Sequence, residues 1–211
     1  MKKGKLKLIT ATVFLSTILF SCATTSKTNK PVPEIPEPVV LQRTLKGQGQ
    51  LTPAQLAGFF IKQRPDADVN EIINFAVDYV LEAKTEGLNS DVAFAQMCLE
   101  TGYLRFGNLV TPDMHNYCGL GATGPEHPGE VFATRTLGIR AHIQHLQAYA
   151  TKEEEKLNNE LIDPRYNWVH KTKFVEDIYG LAGTWATDKE YGNKINRILT
   201  NMEESVTNSI R

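Results

Sequence analysis

Cysteine is scarce in this sequence, three in 211 residues. None of the spacings between Cys22, Cys98 and Cys118 matches a zinc site. Positive charge is not in surplus either, with 23 Lys and Arg against 24 Asp and Glu. A basic face for gripping a phosphate backbone is thereby excluded, and with it nucleic acid as a partner. No internal repeat runs through the chain.

What is present starts with an address. Lys2, Lys3, Lys5 and Lys7 precede an apolar stretch from Leu8 to Phe20, followed by "LFSC". The apolar part is too short, and wrongly flanked, for an ordinary membrane span, so residues 1–21 read as a signal peptide. Leu19 and the small Ser21 before Cys22 resemble the bacterial lipobox, in which the cysteine becomes the lipid-bearing N-terminus. Phe20 is bulkier than the usual residue there, and a plain cleaved signal or an uncleaved anchor is the alternative. The expectation is a protein lipid-anchored to a bacterial membrane and facing the cell envelope. Cleavage before Cys22 removes four lysines, leaving 19 basic residues against 24 acidic ones and a charge of about −5. With Cys22 lipidated, Cys98 and Cys118 are an even pair in an oxidising compartment; a disulfide and two small buried thiols are the two readings.

Residues 22–50 read as a tether. Pro31, Pro33, Pro36 and Pro38 in "KPVPEIPEPVV" favour extended polyproline II, roughly 3.1 Å per residue, and cannot build a core. One domain of mainly α class is expected over 51–211. "LTPAQLAGFFIKQ" begins it with Thr52 as N-cap and Pro53 in the first turn. "DVNEIINFAVDYVLEAKTEG" repeats its apolar residues at helical spacing and ends on Gly87. "NSDVAFAQMCLE" is apolar on every side, the mark of a central helix. The helical period vanishes between Gly107 and Phe132, where Gly, Pro, Asn and His point to a loop with a short β-hairpin. It returns in "LGIRAHIQHLQAYA", breaks at "DPRYNWV", and resumes from Val175 as helix, turn and helix, with Thr187 or Asp188 capping the last.

The central helix ends on a single carboxylate, Glu100, before Thr101 and Gly102. Partial negative charge at a helix C-terminus and an apolar setting both disfavour an ionised carboxyl, so its pKa should rise. A carboxyl that keeps its proton near neutrality has the property needed to protonate a leaving glycosidic oxygen. Pairing with Arg105 is the alternative role.

"AQMCLETGYLRFGN", the later "NYCGLGA" and "WATDKEYGNKI" together resemble the bacterial glucosaminidase family of peptidoglycan hydrolases. That resemblance implies a lysozyme-like helical domain with a small β-hairpin or loop lobe, acting on the glycan strands of peptidoglycan with no cofactor and no metal. It places Glu100 at the catalytic-acid position. Asn116, Tyr117, Gly119 and Leu120 match the family's glycine loop beside the sugar, and Trp185 and Tyr191 its late aromatics, either of which could lie against a pyranose face. The sequence departs from the pattern near Thr136 and Leu137, where many members carry a second glutamate. Glu130, ahead of Glu126, is the substitute; assistance by the substrate's own N-acetyl group is the other route. His142 and His145, three apart on one helix, read as its polar edge, while His115 and His127 fall in the loop. Cys98 lacks the histidine partner a thiol nucleophile needs.

Overall fold

The computed structural model describes residues 38–152 and 154–210. The signal sequence, Cys22 and the tether up to residue 37 lie outside them. Six α-helices follow in order: α1 (Pro53–Gln63), α2 (Val69–Glu86), α3 (Ser90–Thr101), α4 (Arg135–Ala150), α5 (Tyr166–Thr172) and α6 (Tyr191–Ile210). A single 3-10 turn, Pro112–Met114, interrupts the loop between α3 and α4. The domain is mainly helical, with a loop lobe over 107–133 whose hairpin is one antiparallel bridge, Gly124 to His127. Among the described residues no helix is long and apolar enough to cross a membrane.

Local chemistry sets the helix ends. Thr52 accepts from Gln55 N while the Gln55 side chain accepts from Thr52 N, a capping box, and Pro53 follows where its missing N–H is harmless. Gly87 closes α2 at φ 71°, in the left-handed region that favours glycine. α3 packs against α2, α4 and α6, and residues 90–98 are all buried. A helix surrounded in this way has no polar face to give to water, which explains its mostly apolar sequence; its polar Asp91 and Gln96 are buried and hydrogen-bonded.

α4 is also buried along most of its length, although it carries His142, Gln144, His145 and Gln147. The expected polar edge is therefore inside the protein, where each polar group is matched. Gln144 Oε1 accepts from Ile162 N at 2.7 Å, Gln147 Oε1 from Tyr166 Oη at 2.7 Å, and His145 Nδ1 lies 2.8 Å from Asp163 Oδ2. These bonds fasten the return segment 157–166 to the core, consistent with the rule that buried polar groups are partnered.

Several boundaries differ from the sequence reading: α5 starts inside "DPRYNWV", where a break was expected, and α6 begins at Tyr191, past Thr187 and Asp188. Residues 41–50 belong to the folded domain, not to a tether: Leu41 and Leu45 are buried in the main core. Arg43 donates to Asn196 Oδ1 at 2.8 Å and to Glu203 Oε1 at 2.6 Å on α6, and Asp91 takes Gln50 N at 2.7 Å. Residues 175–186, expected to be helical, are turns. Asp177 Oδ1 accepts from Tyr179 N at 2.9 Å and Gly180 N at 3.1 Å, a local alternative to helix, and Gly183 sits at φ 77°.

Candidate active site

α3 ends in a Schellman motif: Gly102 is left-handed at φ 57° and Tyr103 N donates to Cys98 O at 2.9 Å. The backbone stays left-handed at Tyr103 (φ 59°) and Leu104 (φ 59°) and again at Phe106 (φ 55°). Left-handed backbone at non-glycine residues costs about 1–2 kcal/mol each, so something must hold it. Leu104 N donates to Thr101 Oγ1 at 2.8 Å, and Arg64 at the end of α1 donates to Leu104 O at 2.8 Å. The chain is thereby swung sharply away just past Glu100, leaving that side chain at the edge of a cleft. Thr101, Phe106, Asn108, Leu109, Val110, Asn116, Gly119 and Ala122 line the rest of it.

Both interior hydrogen bonds to the Glu100 carboxyl meet on one oxygen. Trp185 Nε1 donates to Oε1 at 3.1 Å, and Tyr191 Oη donates to the same atom. Among the described residues no donor reaches Oε2, which is not sealed from solvent, and Glu100 is one of the residues lining the cleft. Burial pushes the Glu100 carboxyl above the ordinary 4.5; the bonds from Tyr191 and Trp185 favour the charged form and offset part of that rise. The Tyr191 phenol is held well above its usual range, by burial first and by the Glu100 charge second, so it stays a donor. Arg105 does not pair with Glu100: its guanidinium donates to Gly102 O and Gln63 O.

The glycine loop is brought to the cleft, but its residues divide the work differently from the sequence reading. Asn116 lines the cleft while its amide braces the loop, Nδ2 donating to Leu120 O at 2.8 Å and Glu130 O at 3.1 Å, and Oδ1 accepting from Leu120 N at 2.9 Å. Gly119, at φ 67°, forms an open stretch of wall. Leu120 faces inward and packs with Cys118, Phe132 and Ala141. Tyr117 is turned to a second cleft with Arg64, Phe106 and Arg135, its ring edge-on to Phe75 at 4.9 Å. Gly138 lets α4 carry the lobe, since a Cβ there would meet His115 O at 1.8 Å.

Trp185 and Tyr191 are hydrogen-bond donors to the acid in this arrangement. Tyr191 is buried, and the half-buried Trp185 ring rests on His145 at 4.9 Å and Tyr149 at 5.3 Å. Glu130 is half-buried with its carboxylate against Gly121, and among the described residues Glu100 is the sole carboxylate lining the cleft. The proposed disulfide is corrected: Cys98 and Cys118 are both free and buried, Cys98 within α3 in the main core and Cys118 in the cluster under the loop lobe. Burial pushes both thiols well above their usual range, away from nucleophilic character. Phe106, Leu109 and Val110 as cleft walls were missed by sequence reasoning; the left-handed turn that places them has no signature beyond Gly102 and Gly107.

No solved structure matches the chain at a meaningful level. An uncharacterized protein of Borreliella burgdorferi is 41% identical over 159 residues, 75% of this chain and 76% of that protein. The family model described as mannosyl-glycoprotein endo-beta-N-acetylglucosaminidase matches residues 76–204, from the middle of α2 to the last turns of α6, and so takes in Glu100, the glycine loop, Trp185 and Tyr191. This chain belongs to the glucosaminidase family.

Proposed function

We propose that this protein hydrolyses β-1,4 glycosidic bonds next to N-acetylglucosamine in the glycan strands of peptidoglycan. Membership of the family supports action on peptidoglycan in general. The observation that carries the finer reading is the asymmetry of Glu100, one oxygen pinned by two donors and the other unbonded and not sealed from solvent in a residue that lines the cleft. Glu100 passes its proton from Oε2 to the glycosidic oxygen as the C1–O bond breaks. Water adds to the anomeric carbon and its released proton restores the carboxyl. With no second acid among the described residues of the cleft wall, assistance by the substrate's N-acetyl group is preferred to a general base such as Glu130.

That single carboxylate also favours a second reading, a lytic transglycosylase, in which an internal muramyl hydroxyl attacks instead of water. Mass spectrometry of digested wall separates the two. A reducing N-acetylglucosamine end supports hydrolysis at this bond; an anhydro-muramyl end supports the rival. Binding to insoluble wall with no soluble release, unchanged in Glu100→Gln, would reduce the protein to a binding module. We further propose attachment to the membrane through lipid on Cys22, which raises local concentration at the wall; labelling with a fatty-acid probe, lost in Cys22→Ala, tests it.

A further inference from the structure

Behind Glu100 the core lines up further polar side chains. Gln96 Nε2 donates to Tyr191 Oη at 2.9 Å, Gln96 Oε1 lies 3.1 Å from His142 Nε2, and His142 Nδ1 lies 2.8 Å from Tyr79 Oη. Tyr79, Gln96 and His142 are fully buried. They come from α2, α3 and α4, and Tyr191 from α6, so four helices must be in place for the series to form.

Such a series has two directions, and its far end decides between them. Burial pulls the His142 imidazole from 6.5 to about 3, so the ring is neutral and carries one N–H. Running toward the acid, Tyr79 O–H donates to Nδ1, Nε2–H to Gln96 Oε1, Gln96 N–H to Tyr191 Oη, and Tyr191 O–H to Glu100 Oε1. Each group in that series donates one hydrogen to the next acceptor. Run backward, with the Gln96 amide turned over, the series leaves the Tyr79 O–H with no acceptor among the described residues, a penalty worth roughly tenfold to hundredfold in population. The indole N–H of Trp185, which only donates, also meets Oε1.

We propose that Tyr79, His142 and Gln96 are positioning residues whose one-way hydrogen-bond chain makes Tyr191 a donor to Glu100 Oε1, so that the acid carries its transferable proton on Oε2, the oxygen left unbonded and not sealed from solvent. This rests on the reading of Glu100 as general acid. The groups facing the carboxyl are Tyr191 from α6, Trp185 from the 175–190 segment and the Cys118 thiol from the loop lobe, all uncharged near neutrality. The proton on Oε2 therefore answers to the direction of the buried chain rather than to a neighbouring charge.

The tautomer of His142 tests the direction without any turnover. Long-range 15N–1H correlation on the intact protein should show a neutral ring protonated on Nε2 at pH 5 to 8; a ring protonated on Nδ1 overturns the inference. Kinetics test the consequence. Gln96→Glu presents only acceptors once its buried carboxyl ionises; above that pH it diverts the Tyr191 hydrogen and should lower kcat at least tenfold with KM within about twofold, while below it the protonated side chain donates to Tyr191 as the amide does and kcat should stay near the parent's. Gln96→Met leaves Glu100 as the only acceptor Tyr191 has and should cost much less. In a Tyr191→Phe background, Gln96→Glu should change kcat less than threefold, because its route is gone. Equal damage from Gln96→Met and Gln96→Glu, or an undiminished effect in that background, refutes the positioning role. A parent protein that releases no wall fragments would refute the function proposed above and leave the tautomer result standing.

Discussion

Replacing Glu100 with Gln tests the acid and its environment together. Volume is unchanged, and the new amide oxygen accepts from Trp185 Nε1 and Tyr191 Oη as Oε1 does now, so the fold should survive. The proton donor is lost, and a positioned general acid is worth about 10²–10⁴ in rate; kcat should fall by that factor with KM little changed. Stability should move the opposite way. The folded carboxyl titrates above 4.5 because it is buried, so between 4.5 and its raised value the folded state holds a proton that the unfolded state has released. Stability therefore falls as pH rises through that window, and above it the native protein keeps a charged group in a poor solvent. The variant has no such charge. Its melting temperature should match the parent's near pH 4 and exceed it at pH 7. Dye release from labelled peptidoglycan and thermal melts at both pH values measure this. Parental turnover, or a variant less stable than the parent at pH 7 but not at pH 4, would refute the reasoning.

Trp185→Phe keeps a ring against His145 and Tyr149 but removes the indole donor to Oε1. Loss of a hydrogen bond that favours the charged form raises the Glu100 pKa, so kcat should drop about tenfold while the alkaline limb of its pH profile moves upward. Leu45→Ala tests whether residues 41–50 are part of the domain. A fully buried leucine cut to alanine should cost about 2–5 kcal/mol in denaturant unfolding, whereas a tether residue would cost almost nothing. Cys98 and Cys118 should react with a thiol reagent only on unfolding, and the melting temperature should be the same with and without reductant.

Capping chemistry made the first half of the fold legible. Thr52, Pro53, Gly87 and Asn89 mark helix ends through bonds within a few residues of sequence, and the apolar period of α2 names its own buried face. The strap at 41–50 was not legible because Leu41 and Leu45 follow no helical or strand period; what holds the strap, Asn196 and Glu203 on α6, lies some 150 residues on. The same limit hid the work of Trp185 and Tyr191. Their positions in the motif placed them at the site, but an aromatic ring shows a sugar face and a hydrogen-bonding edge in the same letter. Only the packing of α6 and the 181–190 turn against α3 aims the N–H and O–H at Glu100. In 175–186, Asp177 diverted the backbone into turns that an apolar count reads as helix.

The strap has a mechanical side. Arg43 grips Asn196, Thr200 and Glu203 on α6, and Leu41 N adds a bond to Glu203 Oε1 at 2.7 Å. α6 begins at Tyr191. Tension drawn along the chain from residue 38 outward is therefore borne by the helix whose first residue steadies the acid. The strap and the hydrogen bond to Glu100 end on one strut.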